Sequence, residues 1–242
     1  MQEQHFGILD GKHLKPIFEK SIGLTLKQFI KSKMCKPFFI FSVFWVSIGL
    51  NSPANAQTQK DTIKQFEDFR LKNIDGQFLS LSDYPKAKGF ILIFTCNHCP
   101  FAKLYPPRFN ALNSKYKPLG IPLIAISSTD TNTYEEDGHL EMIKKAKAEK
   151  FNFPYLFDDL QVVAKSFNAQ KTPHAFVIWK EKGEWIIKYE GAIDDNGAES
   201  EKVKNSYVST AVQELLNGKE VSQPITRSIG CQIHFRTEAE MK

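Results

Sequence analysis

Cys96 and Cys99 stand two residues apart in "GFILIFTCNHCPFAK" (89–103), directly after an apolar run of β-favouring residues. A C-x-x-C at that spacing can be a redox pair, because one helical turn brings the two sulfurs within bonding range. The same spacing is also half of a tetrahedral zinc site. No second C-x-x-C and no H-x₃₋₅-H follows, so a structural zinc site lacks its other half. Placed after a strand, Cys96 falls at the strand end and Cys99 in the first turn of the next helix. Unpaired N–H groups there favour a thiolate. Cys96, nearer the surface, is the expected nucleophile, and Cys99 the thiol that resolves the mixed disulfide. His98 lies between them, where a donor or imidazolium would favour the thiolate and raise the potential of the couple. Its plainer reading is a solvent-facing helix residue.

Two further thiols complete the count of four. Cys231, in "SIGCQI" (228–233), reads either as an extra redox thiol that docks on the pair or as a small buried residue. Cys35 belongs to a leader. Lys31, Lys33 and Lys36 flank the apolar run "PFFIFSVFWVSIGL" (37–50), and Ala54-Asn55-Ala56 supplies small residues before Gln57. That order describes a signal peptide over 34–56 with cleavage after Ala56. The 14 apolar residues would reach about 21 Å as a helix, short of the roughly 30 Å hydrocarbon layer. Residues 1–33 read as an upstream extension without a function of their own, with Met34 as the candidate true start. Export, to the periplasm or beyond, without stable membrane insertion after cleavage is the expectation.

The chain remaining over 57–242 has 242 − 56 = 186 residues, enough for one domain with a core. The full chain carries a net charge of +5. Removing 7 of the 32 basic and 3 of the 27 acidic residues with the leader leaves 25 against 24. Nucleic acid is therefore not an expected partner, and "KKAKAEK" (144–150) is a solvated helix face.

The elements that must position the thiols follow from periodicity. "FEDFRLKNIDGQFLSLSDY" (66–84) alternates around Asp75-Gly76, a hairpin signal. "GFILIFTC" and "IPLIAISS" are continuous apolar runs, the pattern of strands buried on both faces. Between them, "FAKLYPPRFNALNSKY" is helical, with Pro106 and Pro107 implying a kink or break. "TDTNTYEEDGHL" (129–140) reads as a polar loop and 140–150 as a helix. "FPYLFDDLQVVAKSFNA" (153–169) is an extended piece followed by a short helix whose apolar side is Leu160, Val163, Ala164 and Phe167. "HAFVIWK" and "WIIKYEGAI" flank a hairpin turn at "EKGE", and "KVKNSYVSTAVQELLNGK" (202–219) is a helix capped at Gly218. The order predicts an α/β fold with a mixed sheet. Thr172-Pro173 opens the strand at "HAFVI", and on local grounds a trans bond is the default there.

Strand, C-x-x-C, helix and a distant Thr-Pro before a strand resemble the thioredoxin-like superfamily. "FPYLFDDLQVVAKSFNAQKTPHAFVI" is similar to its peroxiredoxin-like branch, the redoxin or thiol-specific-antioxidant type of domain. "CNHCP" together with "SIGCQI" resembles a small group within that branch. The likeness covers roughly 66–235. It implies a central mixed sheet flanked by helices, with an N-terminal β-hairpin. It implies too that Pro173 is cis and packs beside the pair, and that Thr172 presents its backbone to a bound substrate chain by strand addition. His174 would then lie near the sulfurs, or else serve as an ordinary strand residue. No bound cofactor and no metal are implied. The implied partners are protein thiols or disulfides and an upstream thiol electron donor.

The chain also departs from the pattern. Thr95 stands where thioredoxins proper have Trp, and Leu104 where they have Pro. "FILIF" lacks their buried acid, for which Asp194 or Asp195 would be a substitute, although both read more simply as surface loop acids. Peroxiredoxins proper set the attacked Cys three residues after a Thr, and three after Thr95 is His98. The sequence thus predicts an exported thiol–disulfide oxidoreductase. A thiol peroxidase, or a Cu(I) carrier using both thiolates with His98 or His174, are the alternatives.

Overall fold

The computed structural model describes residues 66–237 and 240. The expected extension (1–33), the signal peptide (34–56) and Cys35 lie outside the described residues.

An N-terminal hairpin forms as its Asp-Gly signal predicts. β1 (Leu71–Asn73) pairs antiparallel with β2 (Phe78–Leu79), and Gly76 takes a positive φ of 86° in the turn. The long apolar run becomes β3 (Gly89–Phe94), followed by α1 (Pro106–Tyr116) and β4 (Leu123–Ser127), which runs parallel to β3. The prolines correct the expected helix. They do not kink it but begin it, sitting at its first positions, where a missing N–H costs nothing. Residues before them form only a turn and a short 3₁₀ segment, Ala102–Leu104. Cys99 therefore precedes helix α1 rather than lying in its first turn.

The second half adds α2 (His139–Ala148), β5 (Tyr155–Phe157) and α3 (Val162–Phe167). Leu160, expected on the apolar side of α3, lies before that helix and is exposed. A long hairpin follows, β7 (His174–Glu181) and β8 (Glu184–Gly191), turning at Lys182 and Gly183 with φ of 51° and 92°. Then comes α4 (Tyr207–Leu216), ended by Gly218 at φ 69°. Seven strands order as β2-β1-β5-β4-β3-β7-β8, with β3, β4 and β5 parallel and the rest antiparallel. This mixed sheet flanked by helices is the thioredoxin-like fold that the resemblance implies. A separate ribbon, unforeseen from sequence, pairs β6 (Lys171–Thr172) with β9 (Cys231–Gln232).

β3 explains why its sequence is unbroken in hydrophobicity. Ile91 and Ile93 pack on one face with Phe109 of α1 and Val208 of α4. Phe90, Leu92 and Phe94 pack on the other, with Val163, Ala164 and Phe167 of α3. Alternate side chains point to opposite faces, so a strand covered on both sides needs apolar residues throughout. A Leu92→Ala change would remove buried volume at a cost of about 2–5 kcal/mol. Among the described residues, no helix is long and apolar enough to cross a membrane.

Candidate active site

β3, an interior strand, delivers the cysteine loop at its C-terminal end. Thr95 N–H still bonds the Ile126 carbonyl at 2.9 Å, after which the chain leaves the sheet at Cys96. β7 lies antiparallel on the other side of β3, with His174 opposite Phe94. That register brings the residues just before β7, Thr172 and Pro173, against the loop. The Thr172–Pro173 bond is cis, not the trans form that local preference favours. Cys96 Sγ lies 3.1 Å from Thr172 Oγ1, and Cys99 Sγ lies 3.1 Å from the Thr172 carbonyl oxygen. Cys96, Cys99 and Ala102 form one buried cluster, with Cys231 packed against it.

Exposure does not rank the pair as expected. Both sulfurs are buried, so Cys96 is not the nearer to the surface. Their acidities differ instead. The hydrogen bond shared with Cys99 pushes the Cys96 thiol far up, and burial and the Asp137 charge add to this. Cys99 receives that bond and a second from Cys231, and together they bring it down to about 4 against the opposing effect of burial. The Thr172 carbonyl works the other way, since it can accept only a thiol proton. Two sulfhydryl donors outweigh that single acceptor, and the proton-poor sulfur is Cys99. Cys231 is raised to about 11, by burial first and then by its bond to Cys99.

The polar loop over 129–140 contributes the residue that the sequence reading missed. Asp137 is fully buried beneath the cysteine loop. Its carboxylate accepts the N–H of Asn97, and that of His98 at 3.2 Å. It also pairs with His98 Nδ1 at 2.5 Å. Nothing in one dimension separates Asp137 from its neighbours Glu135 and Glu136. The His98 ring stacks on Tyr134 at 3.8 Å with 7° between planes, so it is clamped rather than displayed to solvent on a helix. Tyr155 donates to Asn97 Oδ1 at 3.1 Å, and Lys145 Nζ from α2 donates to the Cys96 carbonyl at 3.0 Å. Burial depresses the Lys145 ammonium, with the nearby Cys96 and Asp137 opposing.

The other acids serve elsewhere. Asp194 is buried rather than on the surface, where it accepts from Arg108 at 2.8 Å and from Tyr105 at 3.2 Å. Asp195 is exposed and accepts the N–H of Lys204 at 2.9 Å. His174 is buried, and its Nδ1 accepts the Gln170 N–H at 3.2 Å, which fastens the loop before β7. One group of donors among the described residues could share an ion. Cys96 Sγ, a His98 ring nitrogen and an Asp137 oxygen lie within 4.8 Å of one another. The set mixes one soft sulfur with a hard carboxylate that is already engaged by His98 and two backbone N–H groups.

Comparison with known proteins gives the family of the chain. Residues 63–195 match the family model described as "AhpC/TSA family", which is more than half of the 242-residue chain. The chain belongs to the AhpC/TSA family. A solved structure of an uncharacterized conserved protein from Geobacillus kaustophilus superposes with a TM-score of 0.67 at 32% identity, covering 73% of this chain and 93% of that one. A hypothetical protein from Sinorhizobium meliloti 1021 gives 0.66 at 28% identity, covering 72% and 94%. The thiol-disulfide oxidoreductase ResA of Bacillus thuringiensis subsp. konkukian (strain 97-27) is 25% identical over 118 residues, 49% of this chain. The match spans 64% of that relative's length. The AhpC/TSA match contains Cys96, Cys99, Asp137, Thr172 and Pro173, and it ends before Cys231.

Proposed function

We propose that this AhpC/TSA protein is an exported thiol–disulfide oxidoreductase that exchanges disulfides with protein thiols through Cys96 and Cys99. One observation carries the reading. Two buried sulfurs, separated by two residues in the chain, meet a single residue, Thr172, at the start of a strand-pairing edge. A depressed thiol supplies the thiolate at neutral pH, and its partner holds the proton that the exchange must move.

In the reducing direction a thiolate of the pair attacks one sulfur of a partner disulfide, whose other sulfur leaves as a thiolate. The second cysteine then loses its proton, attacks the mixed disulfide and closes the Cys96–Cys99 bond. The acidity difference favours Cys99 for the first step, reversing the assignment drawn from spacing. The leaving thiolate needs a proton, and the Asp137–His98 pair lies within 4.8 Å of Cys96 Sγ. An upstream thiol donor would then reset the pair.

Multiple-turnover reduction of insulin by dithiothreitol tests this reading. Catalysis by the native chain that is lost in both Cys96→Ala and Cys99→Ala supports it. No catalysis by the native chain rejects it. Steady turnover of hydrogen peroxide with a thiol donor, without insulin reduction, would replace it with a peroxidase. Export is tested by N-terminal sequencing of the secreted protein, with Gln57 the expected first residue.

A further inference from the structure

The edge of Thr172, which a substrate chain would pair with under the reading above, is already paired. β9 lies antiparallel on it, with Thr172 opposite Cys231 and Lys171 opposite Gln232. Ile233 N–H extends the ladder to the Gln170 carbonyl at 2.9 Å, and the Ile233 side chain is buried. Gly230 passes so close that an added Cβ would sit 2.1 Å from the Thr172 carbonyl oxygen. Buried Gln161 fastens the segment beyond. Its Nε2 donates to the His234 carbonyl at 2.8 Å, and its Oε1 accepts the Arg236 N–H at 2.7 Å. The tail is thus seated by its own contacts in the position of a bound chain.

That seating puts a third sulfur on the pair. The Cys231 side chain packs on the cluster of Cys96, Cys99 and Ala102. Cys231 is partly exposed, whereas Cys96 and Cys99 are buried. An open groove lined by His98, Tyr134, Cys231, Gln232 and His234 leads to it. A protein partner approaching from solvent therefore meets Cys231 first.

We propose that Cys231 is a third redox thiol, which relays disulfide exchange between the buried pair and protein partners. The proposal rests on the dithiol reading and extends it. Starting from the oxidised pair, the Cys231 thiolate attacks Cys99 Sγ. The Cys96–Cys99 bond breaks, a Cys99–Cys231 bond forms, and the electron pair leaves on Cys96, which takes up the proton that Cys231 gave. A partner thiolate then attacks Cys231 Sγ and expels Cys99 as a thiolate, the acidic sulfur and hence the better leaving group. A second partner thiol displaces Cys231, so one partner disulfide is formed and the protein gains two electrons. The reverse sequence reduces a partner disulfide.

The test combines disulfide mapping with turnover on the full chain. Cys96→Ser, oxidised with oxidised glutathione and mapped by peptide mass spectrometry, is expected to hold mainly the Cys99–Cys231 bond. Glutathione on Cys99 with free Cys231 would overturn the relay. In insulin reduction, Cys231→Ser is expected to lose at least tenfold in rate while still forming the Cys96–Cys99 disulfide. Gly230→Val keeps the thiol but denies β9 its close approach, and is expected to show the same loss. Rates within twofold of the native chain for both variants would sink the relay and leave the dithiol reading standing. An inactive native chain would sink the dithiol reading itself, and the relay with it.

Discussion

Two buried carboxylates, Asp194 and Asp137, answer the cost of burial in different ways. Asp194 faces Arg108, a permanent cation that also donates to the Asn196 and Gly197 carbonyls and covers the Tyr105 ring at 3.9 Å. The guanidinium is fixed in charge, and the result is a strut between α1 and the loop after β8. Asp137 faces two backbone N–H groups and an imidazole, which can gain or lose a proton, and it lies within 4.8 Å of a thiol. A buried charge held by a titratable partner can change with its surroundings, whereas one held by guanidinium cannot. The difference separates a strut from a site, although both are acids in polar loops.

Four measurements would break or sharpen that contrast. The largest effect concerns Cys99, the partner of the Cys96 thiol that lies beside Asp137. With Cys99 brought down to about 4, reduced protein should keep one thiolate equivalent at pH 6 and lose it only as pH falls towards 4. An ordinary thiol would be only about three parts in a thousand ionised at that pH. Ultraviolet titration against Cys99→Ala reads it, and a single transition near pH 9 would remove the acidity difference between the two sulfurs.

Next is Asp194→Ala. It strands the Arg108 guanidinium in a largely buried setting and should cost about 3 kcal/mol in urea unfolding, with the potential of the pair unchanged. A shift in potential as large as that of an Asp137 variant would mean that the two acids are not distinct in role. Third, Asp137→Asn removes the negative charge that helps to raise Cys96, so the potential of the pair should rise. An unchanged potential would reduce Asp137 to a second strut. The smallest effect is expected of Tyr155→Phe. It deletes the bond to Asn97 Oδ1 at a cost of about 1 kcal/mol, without moving either thiol titration.

Much of the frame was legible because it is written in local patterns. The hairpin at Asp75-Gly76, the doubly covered strand at "GFILIF" and the helix ended by Gly218 each depend on residues a few places apart. The approach of Thr172-Pro173 to the cysteines was legible only through the family likeness, since nothing near position 172 points to position 96. What stayed hidden depends on contacts across the chain. Asp137 looks like any acid in "EEDG" until α2 and the loop before it settle under Asn97. Which cysteine is acidic turns on how many donors reach each sulfur, and one of those donors comes from Cys231, far along the chain. Two prolines in a helical stretch suit a break or a beginning equally well, and the choice fell to the tight turn that Cys99 starts.

The grip of Lys145 on the Cys96 carbonyl has a practical use. It holds the main chain and is indifferent to the side chain at that position. Serine or alanine there should leave the path of the loop unaltered, so such variants can capture partners covalently on the remaining sulfurs without reshaping the surface those partners meet.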